Sequence, residues 1–127
     1  MKLTLTALLV RDYDEAIGFY VGKAGFTLTA DTDQGGGRRW VVVTPAAGGP
    51  GLLLPKAVGE EQTARIGDQA GGRVFLFLET GDFARDHARM SAAGVRFLEA
   101  PRHEPYGLVA VFEDLYGNRW DLIEPKA

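Results

Sequence analysis

The chain repeats itself. Its first half reads strand, helix, strand, strand, strand, and its second half reads the same order again about 70 residues later. LTLTALLV (3–10) is rich in β-formers. Asp12 then stands where a helix N-cap belongs, ahead of Ile17, Phe19, Tyr20 and Ala24 at helical spacing, and Gly25 stops that helix. FTLTAD (26–31), RWVVVTP (39–45) and LLLP (52–55) follow as strands, separated by GGG (35–37) and AAGGPG (46–51). In the second half RVFLFLET (73–80) is a strand. Asp82 caps a helix carrying Phe83, Ala84, His87, Met90 and Ala93, and Gly94 ends it. VRFLEA (95–100), LVAVFE (108–113) and RWDLI (119–123) are strands, with PRHEPYG (101–107) a loop and DLYGN (114–118) a turn. Asp12 corresponds to Asp82, Gly25 to Gly94, and Val42 to Ala110.

A duplication of whole βαβββ units restricts the fold. The expected class is α+β: two tandem modules, 1–57 and 72–127, joined by a polar, glycine-rich linker over 58–71 and forming one domain. Each sheet covers one face with its helix and leaves an apolar face that needs another cover. Two such units side by side can curl their mixed sheets around a shared cleft with the helices outside, so that inward residues of both halves line a ligand pocket.

Size and charge narrow the function classes. A chain of 127 residues and 13.8 kDa suits one domain and should bury roughly two-thirds of the surface it exposes unfolded. It contains no cysteine, which excludes disulfides, zinc–thiolate sites and thiol nucleophiles. The net charge is −3 with acids and bases interspersed, and no basic block invites a nucleic acid. MKLTLTALLV runs straight into Arg11-Asp12 without a cleavage site, so it is expected to be a strand and not a signal peptide. No apolar run approaches the roughly 20 residues of a membrane helix. No membrane partner and a cytoplasmic location are the expectation.

Three segments carry a resemblance. ALLVRDYDEAIGFY (7–20) with AGF (24–26), its second-half counterpart ETGDFARDHARMSAAGV (79–95), and FEDLYGNRWDLIEP (112–125) together resemble the vicinal oxygen chelate superfamily of glyoxalase I, bleomycin resistance proteins and extradiol dioxygenases. The resemblance covers essentially the whole chain. It implies paired βαβββ modules, a homodimer, and in the enzymes a divalent metal held by His, Gln or Glu on the first and last strands of each module. Carried over, that set is mostly missing. The first-strand positions fall on Leu5 and on Phe75, GLLLP (51–55) offers no donor, and only Asp121 keeps an acid where the family has Gly-Asn-x-x-Glu. One carboxylate does not make a metal site, so no metal ligand and no cofactor is expected.

The remaining candidates each have a plain alternative. Asp121 can be a pocket carboxylate or the partner of an arginine such as Arg39, Arg73 or Arg119. His103, Glu104 and Tyr106 belong to a proline-stiffened loop that can overhang a cleft or simply face water. His103 beside Glu104 could work as an acid–base pair, although neighbours on an extended segment point opposite ways. Trp40, Trp120, Phe75 and Phe77 can stack on a flat ligand or pack in the core. Arg38 and Arg39 after the glycines can meet an anion or tip a solvated hairpin. His87 falls on a helix expected outside.

The function expected from all this is a glyoxalase/bleomycin resistance/dioxygenase-like protein that needs no metal. It would bind an apolar, aromatic or cationic small molecule through Leu5, Trp40, Phe75, Phe77, His103, Tyr106 and Asp121. The alternative is a lyase, isomerase or dioxygenase with a displaced or metal-free site using His103, Glu104 or Asp121. A dimeric regulatory module without a ligand is a third reading.

Overall fold

A computed structural model describes the whole chain, residues 1–127, and divides it into two units, Met1–Ile66 and Gly67–Ala127. The expected α+β architecture of two repeated modules is present. In the first unit β1 (Leu5–Ala7) pairs parallel with β4 (Gly51–Leu53), β4 antiparallel with β3 (Arg38–Thr44), and β3 antiparallel with β2 (Thr27–Gly35). In the second unit β5 (Val74–Glu79) pairs parallel with β9 (Arg119–Pro125), β9 antiparallel with β8 (Gly107–Glu113), and β8 with β6 (Arg96–Phe97). First and last strands are therefore parallel neighbours in both modules. The same backbone hydrogen bond extends each pair, Leu8 N to Leu53 O and Thr80 N to Ile123 O.

The helices form where the caps predict. The Asp12 carboxylate accepts from Glu15 N at 2.8 Å to start α1 (Tyr13–Gly22). Asp82 accepts from Arg85 N at 3.1 Å to start α3 (Phe83–Ala92). Gly25 and Gly94 follow the helices with φ of 81° and 93°, the left-handed turn that favours glycine. α1 buries Tyr13, Ala16, Phe19 and Tyr20, and the sheet of that unit buries Val41 and Val43 completely. In the second unit one row of rings runs Phe83, His87, Phe97, Phe112, Trp120, with neighbouring centroids 4.2–5.9 Å apart. His87 is thus part of the packing between α3 and its sheet.

Several boundaries differ from the sequence expectation, each for a local reason. Residues 101–107 are not a plain loop. Arg102–Glu104 form β7, which pairs with β8 and gives the second unit five strands. β2 runs past Asp31 to Gly35, and the hairpin closes on Gly36-Gly37 alone, with φ of 64° and 81°. Two consecutive positive φ values are what a two-residue hairpin turn of right-handed twist demands, so the glycines make a tight turn. β1 is only three residues long, because β4 ends before Pro55, and the chain touches that neighbour again at the Val10–Lys56 bridge. The segment expected as a linker holds a short helix, α2 (Gly59–Ala64), whose start is tied by Val58 N donating to Gln62 Oε1 at 2.9 Å.

The DLYGN turn is held from within. Asp114, buried, accepts from Tyr116 N, Asn118 N and Asn118 Nδ2, each at 2.9 Å, and its own N–H donates to Asn118 O. This knot sets the point at which β9 begins, and with it the register of Asp121.

Candidate functional site

Side chains alternate across a strand, so ladder partners share a face. On β9, Trp120 and Leu122 are buried toward α3, and Glu124 reaches the start of that helix, where its Oε1 accepts from Phe83 N at 2.8 Å. Asp121 therefore faces the other way. Its ladder partners are Phe77 on β5 and Val111 on β8. Phe77 is 69% exposed although it is a large aromatic in the middle of a strand, β5, at the edge of the sheet. The face that α3 leaves uncovered thus carries an open phenyl ring beside a carboxylate.

Asp121 is oddly served. Its Oδ1 is buried and has no hydrogen-bond partner. Burial raises its pKa above the ordinary aspartate range; the Arg102 guanidinium pulls it back down and the Glu99 carboxylate pushes it up. Arg102 does not pair with Asp121. Its Nε lies 3.0 Å from Glu99 Oε1, its Nη1 lies 2.6 Å from Glu104 Oε1, and these two acids, Glu99 first, raise its pKa further, with help from the Tyr106 side chain. Glu99 also accepts from Val111 N at 3.1 Å. The surroundings of Asp121 hold one acid, Glu99, and one already satisfied base, Arg102. None of the three arginines named from sequence meets it: Arg39 binds Asp14 and Asp31, Arg119 donates to Gly72 O, and Arg73 forms no ion pair with it. Glu99 and Arg102 were missed in the sequence, where the signal was an acid three residues ahead of a base across Pro101.

The other candidates do not gather round this carboxylate. His103 is opposite Leu108, which is opposite Glu124, so it lies on the α3 side of the sheet and is exposed there. Glu104, opposite Gly107, is on the Asp121 side and is taken by Arg102. His103 and Glu104 therefore point apart and are no acid–base pair. Tyr106 is exposed beyond the end of β7. Phe75 sits in a register irregularity between Val74 and Leu76 and is partly covered. In the first unit Leu5 faces Gly51 across the parallel ladder, and Trp40, 40% exposed, shares the side of Val42 and Leu53.

The repeat makes Leu5–Gly51 and Phe77–Asp121 equivalent pairs, since Leu5 and Phe77 lie three residues before the donors Leu8 and Thr80, and Gly51 and Asp121 lie two before the acceptors Leu53 and Ile123. Strand register thus gives the first-strand place in the second module to Phe77 and not to Phe75. A divalent ion of the kind the resemblance implies would need donors at these four places. Leu5, Gly51 and Phe77 offer none. A Cβ at Gly51 would already lie 3.0 Å from Thr44 Oγ1 and from Val42 Cγ1, so that place is filled by neighbours. The residues present do not fit the metal.

Comparison with known proteins agrees with this architecture. The family described as the glyoxalase/bleomycin resistance protein/dioxygenase superfamily matches residues 2–122, and the chain belongs to it. An uncharacterized protein of Shewanella frigidimarina (strain NCIMB 400) is 57% identical over 120 residues, covering 93% of this chain and 89% of the relative. Among solved structures, TnmS3, an antibiotic binding protein from Streptomyces sp. CB03234, is 32% identical with a TM-score of 0.82, covering 99% of this chain and 97% of that one. UcmS2 is 31% identical, also with a TM-score of 0.82, covering 97% of both chains.

Proposed function

We propose that this chain is a metal-independent small-molecule binding protein that acts as a homodimer. Its ligand lies on the face of the second sheet that α3 leaves open. The observation that carries this reading is Asp121: a carboxylate with an unserved buried oxygen, set between the open ring of Phe77 and Val111. Phe77 offers a flat apolar wall. Asp121, with Glu99 near and Arg102 already occupied by Glu99 and Glu104, favours a hydrogen-bond donor or a cation. The ligand class is therefore an aromatic compound bearing an amine or another donor. The description of TnmS3 as an antibiotic binding protein supports a small-molecule ligand. The pairing of two chains is carried over from the superfamily resemblance.

The catalytic alternative draws no support from His103, which lies across the sheet from Asp121. The test is a thermal-shift screen of planar aromatic amines and their neutral analogues, with chelator present throughout, beside light scattering for mass. A melting rise of several degrees for amines, lost in Phe77→Ala and in Asp121→Ala, and a dimer mass are expected. Binding that needs an added divalent ion, or that ignores both substitutions, would overturn the reading.

A further inference from the structure

We propose a second binding pocket in the first unit, one that takes a planar aromatic anion. The cavity has a volume of about 790 Å³ and none of its lining residues belongs to the second sheet. That volume suits a ligand of drug-like size. Its walls are the hairpin turn, Trp40, Leu53 and the stretch from Pro55 to Val58, closed by Gln34 and Gln62.

Charge decides the ligand class. Three cations line the pocket, Arg38, Arg39 and Lys56, and no acid does. Arg39 is already spent: it is 3.0 Å from Asp14 and 2.8 Å from Asp31, and its guanidinium lies 5.2 Å from the centre of the Tyr13 ring. Arg38 and Lys56 make no ion pair and no side-chain hydrogen bond, so both charges are free for a ligand. Gln62 spends its Oε1 on Val58 N, which leaves its amide N–H groups as further donors on the pocket lining. Trp40 supplies the flat wall, with two-fifths of its surface open. An aryl carboxylate satisfies this set: the ring stacks on the indole and the carboxylate takes Arg38 and Lys56.

Both cations stand on fixed backbone. Arg38 follows the Gly36-Gly37 turn directly and pairs with Gly35. Lys56 is pinned from both sides, by Val10 N donating to Pro55 O at 3.0 Å and Ala57 N donating to Val10 O at 2.9 Å. Little backbone order remains to be lost when an anion bridges them.

The test uses 2-naphthoate, with 2-naphthamide as its neutral match, read by tryptophan fluorescence and calorimetry. Naphthoate should bind about tenfold more tightly than naphthamide, and its affinity should fall several-fold between about 50 and about 500 mM salt. Arg38→Gln with Lys56→Gln should weaken naphthoate about tenfold and leave naphthamide unchanged. Both side chains are exposed, so the melting temperature should hold; Lys56→Glu alone is the second variant and should abolish naphthoate binding. Trp40→Phe should remove the fluorescence response, since Trp120 is buried. Asp121→Asn should not change naphthoate affinity, whatever it does to aromatic amines, which separates this pocket from the site proposed above. Equal affinity for naphthoate and naphthamide, indifference to both cation variants, or a loss of naphthoate binding in Asp121→Asn would each overturn the assignment.

Discussion

Replacing Asp121 by asparagine should make the protein more stable, not less. The carboxylate has a buried Oδ1 without a donor, and burial is the largest cause of its raised pKa. A buried polar atom left unserved costs about 1–3 kcal/mol, more for a charge than for an amide. Asp121 is only partly buried, so the lower end applies, and the gain at pH 7.5 should be about 1 kcal/mol, or ~4 °C in Tm. The pH dependence has a definite sign. With a folded pKa above the unfolded one, the unfolded chain releases its proton first as pH rises. The penalty therefore grows from the ordinary aspartate value upward and is complete above the raised folded value. Urea titrations of both proteins at pH 7.5 and at about pH 4 should show the asparagine variant ahead at the first and level at the second. The same variant should bind aromatic amines about tenfold more weakly, the trade expected where a site holds strain for function. A variant that is less stable at pH 7.5, or a gain independent of pH, would show that the carboxylate makes native interactions and is no open site.

Other substitutions probe the frame. Gly67→Ala should cost at least about 3 kcal/mol or prevent folding, because φ is +76° and a Cβ would sit 1.9 Å from Tyr116 O; a normal urea midpoint would refute the close approach. Asp114→Ala removes the acceptor of three hydrogen bonds in the buried turn and should cost roughly 2–4 kcal/mol by the same assay. Burial pushes the Asp86 pKa up, but hydrogen bonds from Arg85 and Thr80 together with the charges of Arg85 and Arg89 hold it below the ordinary aspartate value. Its contribution should be present above the unfolded value and fade as pH falls through the lowered folded one. Asp86→Asn should accordingly destabilise at neutral pH and much less in acid.

The fold was legible because its signals are local and doubled. An aspartate cap, a helical apolar period and a terminating glycine occur twice in the same order, and the structure uses both sets as caps and stops. What was misread depended on partners distant in sequence. PRHEPYG carries two prolines and two charges, and nothing local says that Arg102–Glu104 will find an open edge of β8. β2 runs beyond Asp31 because β3 supplies partners as far as Arg38; the polar run TDQ has no strand signal of its own.

The site was legible only in part, and for a related reason. Sequence identified Asp121, because the Gly-Asn turn that fixes its register lies three residues upstream, and the knot of Asp114 with Asn118 is itself local. It did not separate His103 from Asp121, because which face a residue takes is set by strand pairing and flips with a shift of one residue. The same sensitivity moved the first-strand place from Phe75 to Phe77, across an irregularity at Val74–Leu76 that no periodicity announces. Glu99 and Arg102 escaped notice because their effect on Asp121 is electrostatic and acts through space between strands. A position's chemistry here depends on the face it occupies. Phe77 and Asp121 share one; His103, for all its catalytic promise in the sequence, occupies the other.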